Sequence, residues 1–259
     1  MDISRKKVFG FDFISASSVS EIAGLIVDET LRSEKPEFLI TPNAYQTVVL
    51  LDKDNEAYKN FYRNARYVLP DGMPIVWLSK LKGRPLQGRL TGSDLFPVVW
   101  QQIKKRQIPV TLVLPSAELA DLFQKEYPLC HCMVPKFFDV SDAAYIQELA
   151  TKVTESIINN NSRFVFIGLG IPKQELLGME TDRQLKERHF QQGILFLLLG
   201  ASFEFYFGMK KRAPAFFRKT GMEWFYRFMQ EPGRLWKRYT VDNARFIVLA
   251  IKEIIKPQK

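Results

Sequence analysis

Six short apolar runs, each cut off by a turn-forming residue, leave this chain few ways to fold. They are Val8–Phe13, Glu37–Thr41, Tyr67–Pro70, Pro109–Leu114, Arg163–Gly168 and Gly193–Gly200. Each is rich in Val, Ile, Leu or Phe, and near-continuous runs of this length suit strands covered on both faces. Between them lie segments with helical spacing. Ser18–Leu31 places Ile22, Leu25, Ile26 and Leu31 on one side, and Ala143–Ile157 does the same with Ile146, Leu149, Val153 and Ile157. This alternation predicts an α/β fold: a Rossmann-like, mostly parallel sheet flanked by helices.

The chain has 259 residues, 46% of them apolar, ample for one large core with an appendage. No window approaches the length of uninterrupted apolar sequence that spans a bilayer, and Met1–Lys7 leads into no apolar leader. Cys130 and Cys132 flank His131, too small a set for structural zinc, and read as reduced thiols on a short strand. His131 and His189 sit in no catalytic context. A cytoplasmic protein without a metal or cofactor is expected.

Charge divides the chain. Residues 208–259 hold thirteen Lys and Arg against four Asp and Glu, which is the whole formal charge of +9; residues 1–207 hold twenty-four of each sign. The basic residues alternate with aromatics, among them Trp224, Phe225, Tyr226, Phe228 and Trp236. The boundary predicts a catalytic domain over 1–207 and a basic, aromatic, helical appendage over 208–259. Thr220-Gly221-Met222-Glu223 has the capping-box pattern, and Glu231-Pro232-Gly233 separates two helices. Val241, Ala244, Val248, Ile251 and Ile255 form an apolar stripe beyond. Such a segment suits an anionic bilayer, at roughly 1 kcal/mol per basic residue near the surface. It equally suits closure over a site where it neutralises a diphosphate leaving group, or a plain solvated face over an aromatic core. A nucleic-acid surface is the weaker alternative, since no binding module is recognisable. An exposed aromatic tail also serves as a contact between subunits of a homo-oligomer.

In open α/β sheets ligands bind beyond the carboxyl ends of the strands. Here those ends carry Thr41-Pro42-Asn43-Ala44, Asp71-Gly72, Pro115-Ser116-Ala117, Gly168-Leu169-Gly170 and Gly200-Ala201-Ser202. Asp71 has the chemistry of a general base on a hydroxyl, or of a cap for the helix beginning near Met73. Gly168-Leu169-Gly170 lacks the third glycine of a dinucleotide fingerprint, and Pro172 suits the start of a helix that would carry Gln174. Arg89 is placed to pair with an internal carboxylate or a phosphate, or to be an ordinary surface residue, and Thr91 or Ser93 to cap the helix from Leu95 to about Lys105.

Taken in order, these pieces resemble one family. They are Thr41–Ala44, Leu69–Gly72, Arg89–Phe96, Gly168–Glu175, Gly200–Phe205, Lys211–Pro214 and Gly221–Tyr239. The chain resembles the WecG/TagA/CpsF glycosyltransferases (glycosyltransferase family 26) over nearly its whole length. The resemblance implies a metal-independent, inverting transfer in bacterial surface polysaccharide synthesis. The sugar, often N-acetylmannosamine or its uronic acid, passes from a UDP-sugar to a polyprenyl-diphosphate-linked saccharide. Asp71 matches the family's general base, and Thr41, Asn43, Arg89 and Gln174 match pocket positions. Arg227, Arg234 and Lys237 match basic positions that reach the diphosphate. Lys237 stands where Arg is usual, with Arg238 as a substitute beside it. The appendage matches the family's contact with the inner face of the cell membrane, so a peripheral protein is implied.

One departure stands out. Pro115-Ser116-Ala117 replaces the Gly-Gly turn of many members, exchanging two permissive residues for one with fixed φ and no N–H. The implied donor therefore extends to another hexose. Outside the resemblance stand two further readings: a non-catalytic binder of anionic surfaces, and a metal-dependent nucleotide-sugar enzyme, for which no D-x-D is evident.

Overall fold

The computed structural model describes residues 3–51, 56–214, 216–217, 222–230, 232–237 and 243–256. Eight strands form one sheet: β1 (Arg5–Val8), β2 (Phe11–Ile14), β3 (Pro36–Ile40), β4 (Tyr67–Val68), β5 (Val110–Val113), β6 (Cys130–Met133), β7 (Phe164–Ile167) and β8 (Ile194–Leu198). Their order is β1-β2-β4-β3-β8-β7-β5-β6. Every pairing is parallel except the β1–β2 hairpin. The mostly parallel α/β architecture expected from the sequence is the one observed.

The first run differs. Val8–Phe13 is two strands joined by a tight turn, not one. Phe9 (φ 54°) and Gly10 (φ 79°) both take left-handed backbone there, and reverse the chain inside an apolar stretch. Cys130 and Cys132 lie on edge strand β6 as free thiols.

Helices cover both faces. α1 (Val19–Arg32), α5 (Gly92–Lys105), α6 (Ala117–Glu126) and α9 (Ser202–Tyr206) lie over one. The other face carries α2 (Ala44–Leu51), α3 (Glu56–Asn64), α4 (Met73–Leu81), α7 (Ala143–Asn159) and α8 (Lys173–Glu187). The strands sort their residues by the two-residue period of the pleat. Leu112, Phe164, Phe166, Leu195 and Leu197 face the first layer, while Val113, Val165, Ile167, Phe196 and Leu198 face the second. On the first face Phe96, Trp100, Phe123, Phe166 and Phe203 interlock, mostly edge to face at 4.9–6.1 Å.

The basic C-terminal segment is helical, as α10 (Glu223–Gln230), α11 (Pro232–Lys237) and α12 (Asn243–Ile255). Thr220, the first member of the expected capping box, and Val241, the first of the stripe, lie outside the described residues. α12 is seated on the body against α2 and α4. Phe246, 6% exposed, meets Phe9 edge to face at 5.8 Å. Glu253, 8% exposed, accepts from Lys82 Nζ at 3.0 Å and from the Phe9 N–H at 3.2 Å. These contacts turn the helix so that the stripe read from sequence faces outward: Val248 and Ile251 are each 51% exposed and Ile255 75%.

Candidate functional site

Three connections at the carboxyl edge of β3 and β4 are stitched together by backbone. The Leu69 N–H donates to the Ile40 carbonyl at 2.9 Å, the Asp71 N–H to Pro42 at 3.2 Å, and the Leu90 N–H to Pro70 at 3.0 Å. The two strand ends that carry Asn43 and Asp71, and the α4–α5 connection that carries Arg89, are thereby held side by side.

Asp71 does not cap the following helix. Gly72 holds the N-cap position of α4 at φ 135°, ψ 141°, a conformation that side chains resist, so a glycine here turns the chain sharply after the acid. Asn43 also closes the first turn of α2. Its Oδ1 accepts the Gln46 N–H at 3.0 Å, and its own N–H donates to Gln46 Oε1 at 2.9 Å.

Arg89 is not an ordinary surface residue. Its Nη1 donates to Glu223 Oε2 at 2.6 Å, and both side chains are only 14% exposed. Burial works against the guanidinium charge, but Glu223, then Asp71 and Asp94, outweigh it and hold its pKa above the ordinary arginine value. Thr91 caps α5, accepting the Asp94 N–H at 3.1 Å and donating to Asp94 Oδ2 at 2.7 Å. Arg212 reaches back from the start of the basic segment to Asp94 Oδ1 at 2.8 Å. Burial pushes the Asp94 pKa up, yet Thr91 and Arg212 win and leave it below the usual carboxylate range.

Beside these pairs lies one cavity of about 430 Å³. Asn43, Asp71, Arg89, Thr91, Ser93 and Glu223 form its polar part, and Met73, Trp77, Leu81, Phe246, Ile247 and Ile254 its apolar part. Of the expected site residues, Asp71, Asn43 and Arg89 are thus brought together. Thr41 and Gln174 do not line this cavity. Thr41 is 6% exposed, and Gln174, at 1%, accepts the Gly200 N–H at 3.1 Å and donates to Glu175 Oε1 at 3.1 Å. The backbone of Arg227 lies in α10 and those of Arg234 and Lys237 in α11, while Arg238 is outside the described residues.

The other strand ends do structural work. A Cβ on Gly168 would come within 2.7 Å of the Phe203 ring, so this glycine serves close packing of α9. In the loop that departs from the family pattern, Ser116 caps α6, its Oγ accepting from the Leu119 N–H at 3.4 Å. Among the described residues, no three His, Cys, Asp or Glu side chains gather in a way that could hold a metal ion. No described helix is long and apolar enough to cross a membrane.

Two participants escape the sequence reading. The capping-box pattern puts Glu223 at a helix start, whereas its carboxylate binds Arg89. α12, whose spacing shows only an apolar stripe, supplies a wall of the cavity. The available signal is the scarcity of acids in 208–259: two of the four, Glu223 and Glu253, make ties to the body.

Residues 6–259 match the family described as "Glycosyl transferase WecG/TagA/CpsF family". Similar proteins include an N-acetylglucosaminyldiphosphoundecaprenol N-acetyl-beta-D-mannosaminyltransferase of Bacillus spizizenii, 29% identical over 256 residues, covering 96% of this chain and 92% of the relative. A protein of the same description from Bacillus subtilis is 30% identical over 205 residues, 78% of this chain and 74% of its own length. One from Staphylococcus aureus is 24% identical over 259 residues, 99% of this chain and 96% of its own.

Proposed function

The chain belongs to the WecG/TagA/CpsF family of glycosyltransferases, and from that premise we propose that it moves N-acetylmannosamine, or a closely related hexose, from a UDP-sugar to a polyprenyl-diphosphate-linked saccharide. The transfer builds bacterial surface polysaccharide and takes place at the inner face of the cell membrane. The observation that carries this reading is the cavity in which Asp71 stands beside Arg89 and Asn43.

The proposed step is a single displacement with inversion. An acceptor hydroxyl oxygen attacks the anomeric carbon while its proton passes to the Asp71 carboxylate. The bond from that carbon to the diphosphate oxygen breaks, and its electron pair leaves with UDP. The leaving charge is met by cations of the C-terminal segment, Arg227, Arg234 and Lys237 or Arg238, in place of a metal. Arg89 is engaged by Glu223 and serves to fix the polar wall of the cavity beside Asp71 rather than to take the full charge of a phosphate. The relatives named for undecaprenol-linked acceptors support the acceptor class. The nine-charge excess of 208–259 supports contact with an anionic bilayer.

Asp71→Asn is expected to lower kcat by at least about a hundredfold with the KM for UDP-sugar nearly unchanged. Wild-type turnover by this variant would remove Asp71 as the base. Turnover undiminished in excess chelator is the expected companion result, and a loss restored by a divalent cation would overturn the metal-free step.

A further inference from the structure

The cavity has two unlike ends, and the transfer chemistry occupies only one of them. Beside Asp71 the walls are polar. Away from it, Met73, Trp77 and Leu81 follow one another at four-residue spacing on α4, so they share a face that leads from the acid for roughly 12 Å. Opposite them α12 contributes Phe246, Ile247, Ala250 and Ile254 to the same lining. This channel is apolar yet open: Trp77 is 47% exposed, Leu81 71%, Ile247 58% and Ile254 42%. The Lys82–Glu253 pair, at 3.0 Å, clamps the two helices beside Leu81 and Ile254, at the far end of α4 from Asp71.

We propose that the channel between α4 and α12 holds the first isoprene units of the acceptor's polyprenyl chain. The inference rests on the proposed transfer reaction and adds a site to it. An acceptor of that class is an amphiphile with its reactive sugar at one end, a diphosphate next and a hydrocarbon tail beyond. The cavity repeats that order, with the general base at one end and an open apolar trough continuous with it. The far end of the trough, at Leu81, lies the length of α4 from the acid, roughly 12 Å and about the span of a sugar and a diphosphate. A trough of this kind binds the tail by removing apolar surface from water, with no need of a bilayer.

The test uses full-length protein in vesicle-free and detergent-free buffer. Two acceptors carry the same N-acetylglucosamine diphosphate, one on a methyl group and one on a three-isoprene chain. The wild type is expected to favour the isoprenoid acceptor in kcat/KM by about tenfold or more, which burial of several methylene groups supplies. In Trp77→Ala/Leu81→Ser the ratio should fall to near one, with the melting temperature checked to show that the fold persists. Leu81→Ser alone, at a position 71% exposed, is the second variant should the pair misfold, and should lower the ratio about threefold.

Equal use of both acceptors by the wild type would mean that the tail engages only a bilayer, and would overturn the proposal. A preference that survives both substitutions would overturn it too. So would a dimer that Leu81→Ser dissociates while the preference stays intact, since a second copy of the chain would then occupy the channel. Failure to use either acceptor would instead count against the transfer reaction itself, so the two ideas fail separately.

Discussion

The sheet domain and the basic segment that follows it solve the same problem by opposite means. Residues 1–207 balance twenty-four cations with twenty-four anions and hold together by burying apolar side chains on both faces of a sheet. Residues 208–259 are overwhelmingly cationic, and the described part is tied to the body by ion pairs: Arg212 on Asp94, Glu223 on Arg89, and Glu253 on Lys82. A core built from many weak contacts tolerates the loss of any one. A segment that adds single charge pairs to a small apolar contact, Phe246 on Phe9, is more sensitive, because removing one partner leaves the other's charge poorly compensated. The candidate site lies where the two meet, so its shape depends on both kinds of attachment.

Glu253→Ala should give the largest effect that breaks this contrast. It takes the carboxylate partner from Lys82, at 7% exposure, leaves that ammonium its bond to the residue-253 carbonyl, removes the acceptor of the Phe9 N–H, and should cost about 3 kcal/mol in a urea titration. An unchanged midpoint would show that α12 lies outside the cooperative unit. Glu223→Ala comes next. It leaves Arg89 buried with Asp71 as the carboxylate that next most favours its charge, and should cost about 2 kcal/mol and lower turnover about tenfold. Full turnover in that variant would show that the Arg89–Glu223 pair is not needed to shape the polar wall beside Asp71.

A third test addresses the exposed side of α12. Arg245→Gln with Lys252→Gln should weaken binding to anionic vesicles by roughly thirtyfold, a difference that about 0.5 M salt erases, at about 1 kcal/mol per charge. Equal binding by both proteins at low salt would place the anionic contact elsewhere.

The smallest effect sharpens the picture of the body. Glu175 is fully buried. Its Oε1 accepts from the Tyr62 hydroxyl at 2.7 Å, while Oε2 has no hydrogen-bond partner among the described residues. Burial pushes its pKa up, so the folded protein holds this proton more tightly than the unfolded chain does. The stability it lends is whole below the unfolded value of about 4.3 and drains away as pH rises through the folded value. Glu175→Gln does not titrate. Its melting temperature should therefore gain on the wild type as pH rises above about 4.3, by roughly a degree or two, whereas a constant gap would mean that folding does not raise the carboxyl's pKa.

What the sequence discloses follows the same division. Strands buried on both faces show in the sequence because an apolar run as short as Phe164–Ile167, bounded by a turn residue such as Gly168, is too brief for a helix, and Asp71 is conspicuous at the end of one such run. The β1–β2 turn stays hidden because its residues, Phe9 and Gly10, interrupt an apolar stretch without any polar marker. Thr41 and Gln174 share the motifs of the site, but polar side chains at strand ends also serve to satisfy buried backbone, as Gln174 does for Gly200. No local pattern separates the two uses. Glu223 and Glu253 are illegible for a different reason: their partners, Arg89 and Lys82, are 134 and 171 residues away. Pairings at that range depend on the finished topology, not on spacing.

The hydrogen bond from Phe9 to Glu253 spans 244 residues. During translation the hairpin that carries Phe9 leaves the ribosome long before its partner exists, and the sheet can assemble in the interval. The α12 side of the cavity's apolar wall is therefore delivered long after the α4 side. Until then a nascent chain would carry Asp71 at the edge of an open surface, and a polypeptide stalled short of α12 would keep the sheet while lacking one side of the channel proposed for the lipid.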